Sequence, residues 1–269
     1  MVAMETVKRL VVFDLDGTLA ESKQAIDPEM GRLLTELLTV RPVAVISGGD
    51  WPQFERQLVG FLPEGADLTR LFLLPTSGTK LYRFEGAWHG VYAENFTVEE
   101  RDRIVAALGK AVEAAGLVKD AATGEKVEDR GSQITFSGLG QAALLEAKLK
   151  WDPDRRKRDR LKALLDGMLP DFSVRIGGST SIDITRRGID KAYGIGKLAE
   201  AAGISFDEML FIGDALYPGG NDAPVREMGV KTIAIRDIEE TKRVIGTLIQ
   251  TAKGRTQSAD GEPSIMAAD

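Results

Sequence analysis

Asp14 and Asp16 stand two residues apart at the end of the apolar run Leu10-Val-Val-Phe13. Carboxylates that close repel each other, and a cation or a proton on one of them relieves the repulsion. The run reads as a buried strand of a parallel sheet, and such sheets bind ligands at the carboxyl ends of their strands. A second run, Met209-Leu-Phe-Ile-Gly213, ends at Asp214, so a third carboxylate can converge on the same edge. Asp14, Asp16 and Asp214 together suit a hard divalent cation such as Mg²⁺. Ser47-Gly48-Gly49 follows a third apolar run and precedes a helical pattern, where a hydroxyl and backbone N–H groups can hold a phosphate. Lys191 opens a later helix after Gly188-Ile-Asp190; at that edge it would neutralise both a phosphate and Asp14. Taken singly, each has a plainer reading, since strand-end aspartates cap helices and Ser-Gly makes turns. What points to chemistry is their recurrence at several strand ends.

Composition narrows that chemistry. The 269 residues contain no cysteine and one histidine, His89. This excludes disulfides, thiolate nucleophiles, Cys-ligated zinc and His-rich metal sites. The working groups must be carboxylates, lysines and hydroxyls. Lys and Arg number 35 against 41 Asp and Glu, a formal charge of −6 that disfavours bulk nucleic-acid binding. No apolar run is long enough to span a membrane, and residues 1–10 hold no signal-peptide core. The expectation is a cytoplasmic protein with no membrane or nucleic-acid partner.

The elements that must position these residues alternate at first. Strands at 9–14, 42–46 and 71–75 enclose helices at 27–39 and 51–61, which predicts a parallel sheet with crossover helices. The middle of the chain changes character. Hairpins at 80–93 and 172–185, a strand at 132–137, and helices at 97–115 and 153–168 read as a separate α+β unit. Thr97-Val-Glu-Glu100 is a capping box opening the first of those helices. Phe96, Phe136 and Phe172 read as the core of this unit, and His89 as a packed residue of its first hairpin. The charged run 154–160 reads as a solvated helix face. The α/β alternation then resumes with a helix at 190–202, strands at 209–213 and 231–235, and a helix at 238–251. The division expected is a discontinuous core of 1–79 and 188–251, an inserted unit of 80–187, and an unstructured tail of 252–269.

Asp14-Leu-Asp16-Gly17-Thr18, Ser47, Lys191 and Gly213-Asp214 stand in the order of the four motifs of the haloacid dehalogenase (HAD) superfamily, which the chain resembles over residues 9–250. The resemblance implies a Rossmann-like α/β core, and the insertion resembles the large α/β cap of its IIB branch. Within it, the chain is most similar to eukaryotic-type phosphomannomutases. That likeness rests on Arg130-Gly-Ser-Gln-Ile-Thr-Phe-Ser-Gly-Leu-Gly140, Gly177-Gly-Ser-Thr-Ser181-Ile-Asp183, Gly188-Ile-Asp-Lys191-Ala-Tyr193 and Gly213-Asp-Ala-Leu-Tyr-Pro-Gly-Gly-Asn-Asp222.

The resemblance implies roles residue by residue. Asp14 would be the nucleophile that forms an aspartyl-phosphate, and Asp16 the general acid and base. Asp14, the backbone carbonyl of Asp16 and Asp214 would hold Mg²⁺, with Asn221 and Asp222 in support. Ser47, Gly48 and Lys191 would bind the transferring phosphoryl group. In the cap, Arg130, Ser181 and Asp183 would contact the sugar and its distal phosphate. Three positions depart from the mutase pattern: Lys23, Gln141 and Lys148 stand where those enzymes carry arginine. Lysine keeps the charge but loses the planar fork that grips phosphate; glutamine loses the charge. A mutase must hold a bisphosphorylated intermediate, whereas a phosphatase need not. The expectation is therefore a Mg²⁺-dependent phosphatase acting on a small phosphorylated sugar, with a phosphomannomutase as the alternative. A non-catalytic sugar-phosphate sensor ranks third, because no expected catalytic carboxylate is missing. The oligomeric state stays open, with pairing of two copies through the cap as the family's precedent.

Overall fold

The computed structural model describes residues 8–259. It resolves into two compact units: one takes the chain up to Val91 and again from Asp190, the other is Tyr92–Ile189. The first unit begins with β1 (Leu10–Asp14), α1 (Pro28–Val40), β2 (Val43–Ile46), α2 (Trp51–Gln57), β3 (Leu71–Leu74), β4 (Lys80–Phe84) and β5 (Trp88–Ala93). The second unit carries α3 (Val98–Ala114), β6 (Val127–Asp129), β7 (Gln133–Ser137), α4 (Leu145–Trp151), α5 (Arg156–Met168), β8 (Phe172–Ile176) and β9 (Ser181–Arg186). The chain then completes the first unit with α6 (Lys191–Ala202), β10 (Met209–Gly213), α7 (Ala223–Glu227), β11 (Lys231–Ala234) and α8 (Ile238–Ala259).

One seven-stranded sheet organises the first unit, in the order β11-β10-β1-β2-β3-β4-β5. The first five strands in that order run parallel, which a chain of apolar runs joined by helices produces. Asp27 caps α1 by accepting from the Met30 N–H at 2.8 Å, with Pro28 at the first helical position. The core between sheet and helices is built from Val11, Phe13, Met30, Leu34, Val45, Leu73 and Ile212, all buried.

Three expectations change here. The hairpin at 80–93 extends the main sheet through β4, antiparallel to β3, so the crossing into the second unit falls at 91–92 and not near 80. Tyr82 and Trp88 hold it there by packing on Trp51, with ring centroids 4.2 and 5.6 Å away. His89 therefore belongs to this hairpin, half exposed, with its Nε2 3.7 Å from a Glu85 carboxylate oxygen. The last helix runs on to Ala259, past the expected stop at 251. The rest of the tail, 260–269, and the N-terminal residues 1–7 lie outside the described residues. Short elements escaped the periodicity reading: β6, α4 and α7 have seven residues or fewer, too few to show a period.

The second unit packs α3 and α5 on one face of a four-stranded antiparallel sheet, β6-β7-β9-β8. Ile134, Phe136, Ile182 and Ile184 meet Ile104, Leu108, Leu161 and Leu165 in its core, with Phe172 buried and Phe96 packed against the edge. Arg158 corrects the reading of 154–160 as a wholly solvated face. It is buried, donates to Asp152 Oδ2 at 2.8 Å, and reaches the Gly178 carbonyl. Arg186 closes the unit on itself. Its guanidinium grips Glu100 at 3.0 and 2.6 Å and donates to the carbonyls of Glu94 and Asn95, joining the chain's entry to its exit.

Those hydrogen bonds, followed by the Thr97 backbone N–H, hold the Glu100 carboxyl down at about 2. A depressed carboxyl contributes stability that is complete above its ordinary value of 4.5 and is lost as pH falls toward about 2. Arg186→Ala is therefore expected to lower the unfolding midpoint of the second unit at about pH 6, with the gap to wild type narrowing toward about pH 2, where only its bonds to the Glu94 and Asn95 carbonyls remain. Thermal unfolding across that range measures it, and a gap that stays constant with pH contradicts it.

Candidate active site

Asp14, Ser47 and Asp214 follow from strand register. Asp14 pairs with Ile46, and Phe13 with Ile212, so β1, β2 and β10 end level with one another. The residues just beyond those ends share one edge. Gly17 lets the loop after β1 approach β10. It sits at φ 84°, and a Cβ there would lie 2.6 Å from Asp214 Oδ2. Gly213 does the same for Asp222, whose Oδ2 would lie 2.4 Å from an added Cβ.

The acidic cluster consists of Asp14, Asp214 and Asp222, one oxygen from each lying within 4.8 Å of the others. Asp16 was the expected third carboxylate. Its side chain turns instead to α2 and the loop before α1. Gln53 Nε2 donates to Oδ2 at 2.7 Å, Gln57 Nε2 to Oδ1 at 3.2 Å, and the Lys23 backbone N–H to Oδ1 at 2.7 Å. Lys23 takes part through its backbone, in a left-handed conformation at φ 61°. Asp222, expected only in support, is fully buried and central, while its neighbour Asn221 is exposed. Gln53 and Gln57 were missed. Their only signal was spacing: four apart on a helix places both on one face.

Lys191 holds the cluster together. It is buried, and its ammonium donates to Asp14 Oδ1 at 2.5 Å and Asp222 Oδ1 at 2.6 Å. Burial pushes the Asp14 carboxyl up, and the neighbouring charge of Asp222 adds to that; Lys191 opposes it. Burial works against charge on Lys191 too, but its two carboxylates outweigh it and raise the ammonium above its usual range. One cation facing three carboxylates leaves an excess of negative charge. An all-oxygen donor set with that excess fits a hard divalent cation.

The lysine is placed by close packing. Asp190 caps α6 by accepting from the Tyr193 N–H at 3.0 Å. One turn on, Gly194 lies against the turn that follows β3, where a Cβ on Gly78 would fall 2.3 Å from the Gly194 Cα. Thr76, Ser77 and Gly78 are all left-handed, at φ 49°, 56° and 82°. The turn donates back to the site, from the Ser77 N–H to the Ser47 carbonyl at 2.8 Å. Ser47 is buried, and its Oγ accepts from the Gly49 N–H at 3.1 Å, which leaves the hydroxyl hydrogen for a ligand. A Cβ on Gly48 would meet nothing within 4 Å, so a ligand can approach its backbone closely.

Of the expected sugar-contacting residues, Arg130, Gln141, Lys148, Ser181 and Asp183 belong to the second unit and Lys23 to the first. Asp183 on β9 accepts from Thr135 Oγ1 at 2.7 Å and Gln133 Nε2 at 3.1 Å on β7. Ser181 lies two residues away on the same strand face. Arg130 pairs with Glu128 at 2.7 Å. Lys148 donates to the Gln141 carbonyl at 2.8 Å, and the Gln141 side-chain nitrogen is buried with no hydrogen-bond partner.

Residues 30–250 match the family described as eukaryotic phosphomannomutase. The chain is 28% identical to phosphomannomutase 1 of Mus musculus over 253 residues, covering 88% of this chain and 93% of that one. It is 28% identical to the phosphomannomutase of Spinacia oleracea, covering 79% and 84%. A haloacid dehalogenase-like hydrolase from Bacteroides thetaiotaomicron shares the fold with a TM-score of 0.60 at 17% identity, over 89% of this chain and 99% of that one. The chain therefore has the HAD α/β architecture expected from its motifs. Among the described residues no helix is long and apolar enough to cross a membrane.

The geometry separates the carboxylates by task. Asp222→Asn is expected to weaken Mg²⁺ binding about tenfold or more, and Asp16→Asn by less than about threefold, because only the first removes a charge from the cluster. Calorimetric titration with Mg²⁺ decides it, and the opposite order of losses contradicts the assignment.

Proposed function

Because the chain belongs to the eukaryotic phosphomannomutase family, we propose that it transfers a phosphoryl group on a hexose phosphate through Asp14, working as a phosphomannomutase. The observation that carries this is the buried Asp14–Lys191–Asp222 arrangement beside Asp214 and Ser47, at the carboxyl edge of the sheet. That arrangement serves either fate of the phosphoryl group; the curated relatives, which match over most of both chains, support the mutase alternative above the phosphatase expected from sequence.

In this reading an Asp14 carboxylate oxygen forms the bond to phosphorus as the bond from phosphorus to the sugar oxygen breaks. Asp16 gives its proton to that leaving oxygen and later takes the proton of the attacking hydroxyl. The second attack breaks the acyl-phosphate bond and returns Asp14 to its carboxylate. Lys191 favours the ionised form of Asp14 that attacks, against the burial that pushes its carboxyl up. It also offers an ammonium to the phosphoryl oxygens, and the Ser47 hydroxyl hydrogen and the open backbone at Gly48 face the same group. Asp14, Asp214 and Asp222, with the Asp16 backbone carbonyl, would hold Mg²⁺. The ion supplies charge neutralisation on the phosphoryl oxygens. In the second unit, Arg130, Gln141, Lys148, Ser181 and Asp183 are the residues assigned to the sugar and its distal phosphate.

A second reading, a sugar-phosphate phosphatase, is favoured by one feature. None of the three expected arginine positions presents a guanidinium: Lys23 and Lys148 carry ammonium groups, the latter donating to the Gln141 carbonyl, and Gln141 offers an amide. A weak distal clamp lets water compete with the sugar for the aspartyl-phosphate.

Incubation with Mg²⁺ and mannose 1-phosphate, with and without a hexose bisphosphate activator, separates the two by phosphorus NMR. Mannose 6-phosphate as the main product, rising with the activator, is the expected result. Inorganic phosphate as the main product, with or without activator, overturns the mutase in favour of the phosphatase.

A further inference from the structure

In the function proposed above Asp16 carries both proton steps, so the groups that fix its carboxylate bear on the rate of those steps. All of them lie in the first unit. A carboxylate offers about four lone-pair sites, about two on each oxygen. Oδ1 has both filled, by the Lys23 N–H at 2.7 Å and the Gln57 amide at 3.2 Å. The Gln57 amide is itself held, since it is buried and donates also to the Gln24 carbonyl at 2.6 Å. Oδ2 has one partner among the described residues, the Gln53 amide at 2.7 Å. The remaining lone pair of Oδ2 is therefore the place on Asp16 for a proton in transit.

Gln53 also touches the loop that follows β2. Its amide lies across Gly49, where an added Cβ would fall 3.0 Å from Nε2 and closer still to Cδ and Oε1. Gly49 is fixed on both sides. Its N–H donates to Ser47 Oγ at 3.1 Å, and its carbonyl accepts from the Thr76 N–H at 2.8 Å. The next residue, Asp50, caps α2 by accepting from the Trp51 N–H at 2.7 Å and is held by Lys80 at 2.7 Å, which anchors the helix that carries Gln53. This is the loop whose Ser47 hydroxyl and Gly48 backbone are assigned to the phosphoryl group. One side chain thus bridges that loop and the less occupied oxygen of Asp16.

We propose that Gln53 is a positioning residue for proton transfer by Asp16, fixing Oδ2 and tying it to the loop assigned to the phosphoryl group. The inference deepens the function proposed above and rests on its roles for Asp14 and Asp16; it holds whether sugar or water accepts the phosphoryl group. In the first step the bond from phosphorus to the ester oxygen breaks as an Asp14 oxygen bonds to phosphorus, and the proton on Oδ2 passes to the departing oxygen. In the second, the attacking hydroxyl yields its proton to Oδ2 as the acyl-phosphate bond breaks. Both transfers need Oδ2 within hydrogen-bond reach of an oxygen on phosphorus, and a misplacement of about 1 Å costs up to about 100-fold. The need for the first proton depends on the leaving group. A sugar alkoxide requires it, whereas p-nitrophenolate is a stable anion and departs without one.

Gln53→Met keeps the length of the side chain and removes the donor. It is expected to lower kcat for consumption of mannose 1-phosphate, with Mg²⁺ and a hexose bisphosphate activator, about tenfold or more, with KM within about threefold. Single-turnover release of p-nitrophenolate from p-nitrophenyl phosphate, with enzyme in excess, reads the first step alone and stays within about threefold of wild type. Gly49→Ala crowds the Gln53 amide without removing it, at a glycine outside the left-handed region. It is expected to lower the same kcat about fivefold in the wild type and less than about twofold in Gln53→Met. Equal losses on the two esters, a kcat for mannose 1-phosphate within about threefold of wild type in Gln53→Met, or effects of the two substitutions that simply multiply overturn the inference and leave the proposed function standing. A wild type that consumes no mannose 1-phosphate overturns both.

Discussion

Lys191 bridges two carboxylates that have left water, Asp14 and Asp222, and much of the first unit is arranged around that contact. Moving any of these ions out of water costs several kcal/mol, which is recovered only with good geometry and full hydrogen bonding. The geometry is supplied from three directions. β1 and β10 end in register and deliver Asp14 and the loop to Asp222. The Ala215 N–H donates to Asp222 Oδ2 at 3.1 Å and fixes its rotamer. The third support is the approach of α6 to the left-handed turn after β3, glycine against glycine, which sets where the helix begins and so where its first residue points. The same turn anchors Ser47 through its carbonyl. Ser47 and Lys191 are thus positioned by one backbone feature.

The contact is also electrostatically incomplete. One ammonium among Asp14, Asp214 and Asp222 leaves negative charge uncompensated, and burial already resists the ionised form of Asp14. A divalent cation would complete the balance and favour the ionised nucleophile. The separation of Asp16 from this cluster follows the same logic. Its carboxylate is held by two neutral glutamine amides and a backbone N–H, from α2 and the loop before α1.

The parts of this arrangement legible in sequence were those with a repeating signal. Apolar runs ending in Asp14, Ile46 and Gly213 marked strands, strand ends marked the edge where ligands bind, and the capping box at Thr97 marked the start of α3. What stayed hidden depended on contacts between distant residues. Asp222 became a cluster member because Gly213 leaves room for it, a fact about three-dimensional spacing. The hairpin at 80–93 joined the main sheet because Tyr82 and Trp88 stack on Trp51, which no local pattern announces. Arg158 lies in a charged run and is buried because Asp152 and the Gly178 carbonyl meet it from elsewhere in the fold. Gln53 and Gln57 carried no charge and therefore no motif, yet they hold the Asp16 carboxylate.

The proposed phosphoryl chemistry rests on charge concentrated at one sheet edge. The central claim is that Asp14 carries the phosphoryl group. Rapid quenching during turnover of mannose 1-phosphate, followed by borohydride reduction and peptide mass spectrometry, reads it directly, because an aspartyl-phosphate is reduced to homoserine. The prediction is homoserine at position 14, absent in Asp14→Asn. Turnover that persists in Asp14→Asn, or homoserine at another aspartate, would contradict the account.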